Sequence, residues 1–394
     1  MGGIRCNVGQ HTIAKSMSEI EPFVLHRPED ELADLRRRLD AIRWPERETV
    51  DDWSQGVPLE RLQELCRYWR DNYDWRRCEA ILNGFGQYRT HLDGLQIHFI
   101  HVRSPEPGAL PLIMTHGWPG SVIEFHKVVG PLTDPAAHGG DPADAFHLVL
   151  PSLPGYGFSE RPARTGWTVE RIARSWLTLM QRLGYDRFVA QGGDWGSAVT
   201  TALAHMHPPQ LAGIHLNMPI VFPNSSEAEE WTEQEAAVAA DMHRFGEEET
   251  GYSTEQRTRP QTLGYGLADS PVGQAAWIYE KYYAWSDCRG NPANVFTFDE
   301  MLDNIMLYWL PAAGASSGRL YWESMSSFRG APTDVPCGCS IFPKEVMRPS
   351  RRWAERTYRN IVYWNELDRG GHFAAFEQPQ LFVEELRACF RQFH

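Results

Sequence analysis

One short stretch, residues 188–197, constrains this chain more than any other. Its apolar start predicts a buried strand over 188–190, and a helical pattern follows over 198–207. Gly192 and Gly196 lie two residues on either side of Asp194, which is the spacing of a nucleophile elbow. Small residues are needed there because the turn is tight and a Cβ would strike its neighbours. The stretch therefore predicts a strand, a sharp turn and a helix, with Asp194 in the turn.

The aspartate changes the chemistry that such a turn can perform. Serine is the usual residue there, and a serine that opened an epoxide would leave an ether, which water does not cleave. A carboxylate leaves an ester, which water hydrolyses at its carbonyl carbon, so the aspartate is regenerated. Asp194 also suits a helix N-cap, which is common for aspartate after a strand. A nucleophile is favoured if other residues supply a base, an acid that orients the base, and oxyanion donors.

Composition and charge favour a globular enzyme that acts on neutral or apolar molecules. The chain has 394 residues, 42% of them hydrophobic, which is enough for one large domain with an insertion or for two or three domains. The net charge of −13 argues against nucleic acid as a partner, because a nucleic-acid footprint is basic. No run approaches the roughly 18 apolar residues of a membrane helix. The seven cysteines are scattered without zinc spacing, so we expect reduced thiols, no metal and a cytoplasmic protein.

Strands alternate with helices from Gly94 onward, which predicts an α/β fold with a mostly parallel sheet flanked by helices. The predicted strands cover residues 95–102, 111–115, 146–150, 188–190, 213–217, 340–342 and 360–364. After residue 218 the pattern becomes helical, acidic and aromatic, so we expect a lid over the site. The expected order is a disordered N-terminus, a helical N-terminal segment, a first core part, the lid and a second core part, over residues 1–20, 21–90, 91–218, 219–330 and 331–394.

Loops after the early strands carry groups that should face one edge of the sheet. HGWPG follows a strand at residues 116–120, and Tyr156 follows the next strand, at the place where such sheets bind ligands. The backbone N–H groups of Trp118 and Trp195 are the expected oxyanion donors, and a cis bond before the proline would fix the first loop. An ordinary Gly/Pro turn is the alternative interpretation of HGWPG. The expected substrate contacts are His116, Gly117, Pro119 and Tyr156.

His372 is the predicted base for ester hydrolysis. It follows two glycines in a loop after a predicted strand, and the chain order of nucleophile, acid and histidine fits an elbow fold. A packing histidine is the alternative. Glu345 lies just past a strand, where the orienting acid falls in this order, whereas Asp368 is close to His372 in sequence and could cap a loop. We favour Glu345, whose alternative is a surface carboxylate paired with a basic neighbour.

With these residues the chain resembles an epoxide hydrolase of the microsomal-type branch of the α/β-hydrolase superfamily. The likeness includes residues 21–44 and so covers nearly the whole chain, and its motifs together are specific. The matching motifs are HGWPG at 116–120, PSLPGYGFS at 151–159, GGDWGS at 192–197, DSPVGQAAWIYEK at 269–281, IFPKE at 341–345 and RGGHFAAFEQP at 369–379.

The resemblance implies an enzyme without a cofactor, whose partners are a small-molecule epoxide and water. The residues implied for nucleophilic attack and water activation are Asp194, Glu345 and His372. It also implies two lid tyrosines that hold the epoxide oxygen, since a phenol with an ordinary pKa of about 10 can donate at neutral pH. We assign them to Tyr252 in ETGY and Tyr321 in RLYW, with Tyr279 and Tyr283 as the alternatives.

One departure from the resemblance lies at the start of the chain. Membrane-bound members carry an N-terminal hydrophobic anchor that is not seen here, so we expect a soluble protein without a membrane anchor. The preference for arginine over lysine and the many alanines suggest a bacterial source. Some soluble bacterial relatives serve antibiotic biosynthesis, so secondary metabolism or detoxification is the expected setting. A homodimer is compatible with the sequence.

Other functions compete with epoxide hydrolysis at this stage. A haloalkane dehalogenase also uses an elbow aspartate, but it needs a halide cradle of Trp or Asn N–H groups, of which Trp195 could be half. Paired Tyr252 and Tyr321 facing Asp194 would favour the epoxide. A catalytically silent binder of apolar molecules would not need His372. An ester hydrolase is disfavoured because the elbow lacks serine.

Overall fold

The computed structural model describes residues 19–327 and 332–394. Nearly all of the predicted disordered N-terminus, residues 1–20, therefore lies outside the described residues. Within them the strands are β1 (Glu21–Pro22), β2 (Gln87–Leu92), β3 (Leu95–Val102), β4 (Leu110–Thr115), β5 (Phe146–Pro151), β6 (Phe188–Gly192), β7 (Leu211–Leu216), β8 (Cys337–Ile341) and β9 (Ile361–Glu366). They form one sheet in the order β1-β2-β3-β5-β4-β6-β7-β8-β9.

The sheet is mostly parallel, as the alternation of strands and helices predicts. Every neighbouring pair from β5 through β4, β6, β7 and β8 to β9 is parallel, whereas β1, β2 and β3 join the edge in antiparallel pairs. Strands β1 and β2 lie in the segment that the sequence predicts to be helical. The β2–β3 hairpin turns at Asp93 and Gly94, which both have positive φ (50° and 83°). Asp-Gly is the usual signal for such a two-residue turn, so the sequence does contain a signal for this hairpin.

Helices cover the sheet and fill the long segment between β7 and β8. Those that precede this segment are α1 (Glu29–Asp40), α2 (Leu59–Asp71), α3 (Trp75–Asn83), α4 (His126–Thr133), α5 (Val169–Arg182) and α6 (Asp194–His205). The lid consists of α7 (Glu233–Glu248), α8 (Gly251–Thr258), α9 (Pro260–Asp269), α10 (Pro271–Trp285), α11 (Phe298–Trp309) and α12 (Gly314–Ser324). The chain closes with α13 (Arg351–Ala354), α14 (Ala374–Glu377) and α15 (Pro379–Phe390).

The turn between β6 and α6 is the strained part of the sheet edge. Asp194 has a φ of 50°, which is in the left-handed region that residues other than glycine rarely adopt. A Cβ on Gly192 would lie 2.1 Å from the Gly196 carbonyl oxygen, and one on Gly196 would lie 1.9 Å from the Thr115 carbonyl oxygen. The predicted need for small residues at both positions is confirmed. The helix begins at Asp194 itself, earlier than the predicted residue 198.

The N-terminal helices brace the lid from outside the sheet. Asp303 of α11 is buried and accepts hydrogen bonds from the Tyr73 hydroxyl (2.8 Å) and from the Arg77 guanidinium of α3 (2.6 Å). Such a buried charge is tolerated only where it is paired and hydrogen-bonded. The leading segment therefore holds the inner part of the lid in place. None of the helices in residues 19–327 and 332–394 has the length and apolar character needed to cross a bilayer.

Candidate active site

The predicted catalytic side chains come from loops at the carboxyl ends of neighbouring parallel strands. Asp194 follows β6, Glu345 follows β8 and His372 follows β9. The carboxyl ends of parallel strands share one edge of the sheet, so residues far apart in sequence meet there. The structure brings these three side chains together and leaves Asp368 outside, where its side chain is 81% exposed and paired with Arg369.

His372 lies between two carboxylates. Its Nδ1 is 2.6 Å from Oε1 of Glu345, and its Nε2 is 3.5 Å from Oδ2 of Asp194. Glu345 is buried and also accepts a hydrogen bond from the Val346 N–H (2.7 Å), so one carboxylate oxygen orients the imidazole firmly. The ring nitrogen that faces Asp194 is the one available for proton transfer.

The loop that carries His372 is held by the lid and by a buried carboxylate. The His372 N–H donates to the Trp285 carbonyl of α10 (2.9 Å), and the Trp285 ring packs edge-on against the imidazole. Glu377 accepts N–H bonds from Asp287 (3.0 Å) and Phe373 (3.2 Å). Burial raises the pKa of Glu377 to about 7. The lid therefore helps to position the histidine as well as to cover the site.

The protonation states follow from burial and from these neighbours. Burial by itself lowers the pKa of His372, but the charges of Glu345 and Asp194 outweigh it and raise this pKa to about 9. Burial raises the pKa of Asp194, and the charge of His372 opposes that rise. At neutral pH the resting site accordingly contains an imidazolium beside the elbow carboxylate.

The loop after β4 places its backbone against the elbow aspartate. The Trp118 N–H donates to Oδ1 of Asp194 (2.7 Å), and the Trp195 N–H also donates to this carboxylate. A Cβ on Gly117 would lie 2.2 Å from Oδ1 of Asp194, so only glycine fits there. The bond between Trp118 and Pro119 is cis, as predicted. Both expected oxyanion donors thus already hold the oxygen atoms of Asp194.

Helix α11 of the lid anchors this same loop through three hydrogen bonds. Asn304 donates to the Pro119 carbonyl (2.7 Å) and accepts from the Ser121 hydroxyl (2.7 Å). The Tyr308 hydroxyl donates to the Gly120 carbonyl (2.7 Å). Asn304 and Tyr308 are buried, so these bonds are shielded from water. The position of the Trp118 N–H, the predicted oxyanion donor of this loop, consequently depends on the lid.

Two lid tyrosines lie over Asp194. Tyr252 of α8 stacks on Trp118 with ring centroids 5.0 Å apart, and Tyr321 of α12 packs edge-on against Trp195 at 4.8 Å. Their own centroids are 5.9 Å apart. Burial, together with the charge of Asp194, raises the pKa of both hydroxyls well above the ordinary value, so both are neutral donors at physiological pH. The buried Tyr321 hydroxyl makes no hydrogen bond of good geometry with the described residues, and its nearest hydrogen-bonding neighbours are the side chains of Tyr252 and Trp195.

The alternative tyrosines lie elsewhere in the lid. Tyr283 stacks on Trp53 at 4.0 Å, and Tyr279 packs edge-on against the same ring at 5.7 Å. Trp53 belongs to the N-terminal segment, so these two rings join that segment to the lid. The structure therefore favours Tyr252 and Tyr321 as the pair that meets Asp194.

A large cavity opens above Asp194 and the tyrosine pair. Its volume is about 730 Å³, which is in the range of sites for drug-sized ligands. Helix α7 forms one wall, and most of the lining is apolar. The apolar lining residues include Met218, Phe222, Trp231, Ala236, Ala239, Met242, Phe245, Met325, Val346 and Met347.

None of the four expected substrate contacts lines this cavity. His116 is buried, with Nδ1 3.0 Å from the Gly117 carbonyl and Nε2 accepting the Leu153 N–H (3.1 Å), and burial lowers its pKa to about 4. The Tyr156 hydroxyl donates to the Ser317 carbonyl of α12 (3.1 Å). Both residues fasten loops and the tyrosine helix, which favours a supporting role over the predicted contact with substrate. Gly117 and Pro119 lie in the loop against Asp194, and their contact with substrate stays a prediction.

Several site residues escaped the sequence reasoning. Asn217 follows β7 and approaches Oε2 of Glu345 (3.5 Å), and Gln191 of β6 donates to Asn217 (2.8 Å). Glu124, from the short turn after HGWPG, lines a second cavity beside Asp194. Asn217 could have been found as a polar residue directly after a predicted strand. Among the described residues no group of three or more His, Cys, Asp or Glu side chains is arranged to bind a metal.

Comparison with known proteins identifies the family. Residues 20–125 match the sequence family described as epoxide hydrolase N terminus, and residues 111–262 match the alpha/beta hydrolase fold family. A protein of Stigmatella aurantiaca with the name "Putative epoxide hydrolase" is 60% identical over 374 residues, 95% of this chain and 85% of that protein. Epoxide hydrolase 1 of Oryctolagus cuniculus is 34% identical over 412 residues, 96% of this chain and 90% of that protein.

Solved structures agree with the sequence relatives. The crystal structure of juvenile hormone epoxide hydrolase from the silkworm Bombyx mori matches with a TM-score of 0.87 and 29% identity, over 98% of this chain and 97% of that one. The structure of Aspergillus niger epoxide hydrolase matches with a TM-score of 0.84 and 32% identity, over 96% and 98%. The chain has the α/β-hydrolase fold and belongs to the epoxide hydrolase family, in its microsomal-type branch.

Proposed function

We propose that this enzyme converts a neutral, apolar epoxide to a vicinal diol through a covalent ester of Asp194. The observation that carries the proposal is the convergence on one carboxylate of two different sets of groups. Tyr252 and Tyr321 line the apolar cavity together with Asp194, and His372, held by Glu345, lies 3.5 Å from the same carboxylate without lining that cavity. Ring opening needs the first set, and ester hydrolysis needs the second.

In the first step an oxygen of Asp194 attacks an epoxide carbon, and the C–O bond to that carbon breaks. The electron pair of that bond goes to the epoxide oxygen, and a tyrosine hydroxyl supplies the proton. Tyr252 and Tyr321 suit this role because burial keeps both hydroxyls neutral, and because both tyrosines line the cavity that contains Asp194. The product of the step is a hydroxyalkyl ester of Asp194.

In the second step His372 takes a proton from water, and the resulting hydroxide attacks the ester carbonyl. Trp118 and Trp195 donate N–H bonds to the oxyanion, and its collapse releases the diol and restores the carboxylate. Ester formation itself prepares the base. It removes the charge of Asp194, which is one of the charges that raise the pKa of His372, so the imidazolium loses its proton more easily in the intermediate. That proton, passed through solvent, restores the hydroxyl of the tyrosine that protonated the epoxide oxygen, and His372 is then neutral and can act as the base.

Trp195 could supply one of the two N–H groups that a dehalogenase uses to hold a halide. This residue does not by itself support dehalogenation. A dehalogenase stabilises a departing halide with N–H groups, whereas the groups that close the cavity opposite Asp194 include two phenols. Phenols suit an alkoxide, which needs a proton, better than a halide ion, which does not. The tyrosine pair thus favours the epoxide over the haloalkane.

Mass spectrometry of the His372→Gln variant tests the proposal. The variant should form a covalent adduct on the peptide that contains Asp194 after exposure to a panel of apolar epoxides, because the ester forms but is not hydrolysed. The Asp194→Ala variant should give neither adduct nor diol. Substantial diol formation by Asp194→Ala would refute the nucleophile, and an adduct on a haloalkane panel alone would favour the dehalogenase.

A further inference from the structure

A second, much smaller cavity also has Asp194 in its lining. Its volume is about 30 Å³, and its lining includes His372, Glu124, Gln191 and Asn217 but neither lid tyrosine. Among the described residues Asp194 is the only one that lines both cavities. One carboxylate therefore separates an apolar space from a polar one.

The small cavity has the size and polarity of a water site. A water molecule needs about 10–15 Å³ of such space and two to four polar partners, so 30 Å³ holds one or two waters and no epoxide. Gln191 is 1% exposed, and its Oε1 atom has no hydrogen-bond partner among the described residues. A buried amide oxygen without a partner is costly, so this atom points independently to a hydrogen-bond donor in the cavity.

Glu124 reaches this cavity because of a glycine. Its side chain passes over Gly120, where a Cβ would lie 1.4 Å from Oε1 of Glu124. Burial raises the pKa of Glu124 to about 8, although the charge of His372 opposes that rise. The carboxyl is therefore mostly protonated at neutral pH and can both donate and accept a hydrogen bond. The other titratable groups that act on it or feel its charge are Asp194, Glu345, Tyr282 and Tyr308.

We propose that the small cavity binds the hydrolytic water and that the Glu124 carboxyl holds this water between His372 and the ester carbonyl of Asp194. The proposal rests on the proposed function, because it names the origin of the water in the second step. In that step the water gives its proton to Nε2 of His372 and its oxygen to the carbonyl carbon, while Glu124 keeps its own proton. Substrate and water then occupy separate cavities that share one carboxylate, so they do not compete for space.

The test separates ester formation from ester hydrolysis in single-turnover experiments with rapid quenching and intact-mass detection. Glu124→Ala should slow hydrolysis about 10²-fold, in the range for losing a group that assists proton transfer, and should leave ester formation within about twofold. The ester should then become the main enzyme species in the steady state, and KM should fall together with kcat. Glu124→Gln should recover most of the hydrolysis rate, because the amide also donates and accepts.

A second variant displaces the carboxyl without removing it. Gly120→Ala places a methyl group where Oε1 of Glu124 lies, so it should also accumulate ester even if Glu124→Ala fails to fold. Gly108→Ala is the matched control, because Gly108 is exposed and a Cβ there has no atom within 4 Å. Equal slowing of both steps, or ester hydrolysis at the wild-type rate in both variants, would overturn the water site. Absence of any ester in His372→Gln would instead overturn the proposed function.

Discussion

The two walls of the substrate cavity are built in different ways. We call α10, α11 and α12 the inner lid, and α7 the outer lid helix. The inner lid is packed like a protein core, and α11 alone buries residues 301–308. The outer lid helix fully buries one residue, Glu235, and packs Val238, Ala239, Met242 and Phe245 against the core while they stay partly exposed.

A few charged groups hold the outer lid helix. Glu235 accepts hydrogen bonds from Ser350 (2.6 Å) and from the Arg352 guanidinium (2.6 Å), and Asp241 accepts one from Arg348 (2.6 Å). Three positions of α7 that line the cavity are alanine, and none of the apolar side chains of this helix is fully buried. The inner lid carries Tyr321 and anchors the HGWPG loop, residues 116–120, which carries Trp118. The proposed chemistry needs both Tyr321 and Trp118 in a fixed geometry. The inner lid, which carries residues of the proposed chemistry, is therefore packed tightly. The outer lid helix, which would meet the variable part of a substrate, is held more loosely.

The largest expected effect comes from a change in the inner lid that should cost no stability. Tyr321→Phe removes a buried hydroxyl that makes no hydrogen bond of good geometry with the described residues, so we expect a nearly unchanged unfolding temperature. Ester formation, measured by rapid quenching in the His372→Gln background, should slow about 10²-fold or more, as for loss of one preorganised oxyanion donor. Tyr265→Phe is the control, because Tyr265 is 69% exposed. Unchanged ester formation in Tyr321→Phe would contradict the assignment of the proton donor.

Asn304→Ala tests whether the inner lid positions the HGWPG loop. It leaves the Pro119 carbonyl and the Ser121 hydroxyl without their buried partner, so the free energy of unfolding should fall by about 2 kcal/mol or more. Both chemical steps should slow, because the loop that carries Trp118 loses its support. Asn294→Ala removes a similar bond, to the Cys288 carbonyl, at an exposed site and should leave both steps unchanged. If Asn304→Ala is destabilised but both chemical steps keep their wild-type rates, the inner lid does not position the loop that carries Trp118.

Glu235→Gln tests the polar attachment of the outer lid helix. The neutral amide loses its charge-assisted bonds to Arg352, which are worth about 1.5–3 kcal/mol in buried settings and less here because the arginine is 43% exposed. Amide hydrogen exchange should quicken in α7 and stay unchanged in α10 to α12. Glu233→Gln makes the same charge change at an exposed position of the same first turn. It should alter the hydrogen exchange neither of α7 nor of α10 to α12. Faster exchange throughout the lid would show that both walls move as one unit.

The same attachment should weaken in acid. The hydrogen bond from Arg352 lowers the pKa of Glu235 from its ordinary 4.5 to about 2. Because the folded pKa is depressed, the stabilisation is complete above about pH 4.5 and is lost as the pH falls toward 2. Hydrogen exchange of α7, corrected for the intrinsic rate, should increase over this window in the wild type. Glu235→Gln should not show this increase.

The smallest expected effect concerns the shape of the cavity. Ala239 of α7 lines the cavity, so Ala239→Leu should raise KM for bulky epoxides by up to about tenfold and leave small epoxides unaffected. Leucine is a good helix former, so the stability of α7 should not suffer. Ala237→Leu, on the exposed side of the same helix, is the matched control. A similar change in KM for small and bulky substrates would argue that the wall acts by means other than shape.

The sequence alone determined the features that depend only on residues close together along the chain. The elbow could be predicted because two glycines flank Asp194 at a spacing that one tight turn requires, and the strand ends could be predicted from apolar runs that stop at glycine, proline or histidine. The order of Asp194, Glu345 and His372 along the chain followed from the alternation of strands and helices. The choice of Glu345 over Asp368 used the same order, and the structure places Glu345 at 2.6 Å from the imidazole.

Only the tertiary structure decided which residues surround that constellation. Asn304 and Glu124 belong to different segments, and nothing in their local sequence indicates that one supports the HGWPG loop and the other lines the small cavity. The roles of His116 and Tyr156 likewise depend on what their polar atoms meet across the fold. The physical reason is that hydrogen bonding and burial depend on distance in space, whereas periodicity and turn chemistry depend on distance along the chain.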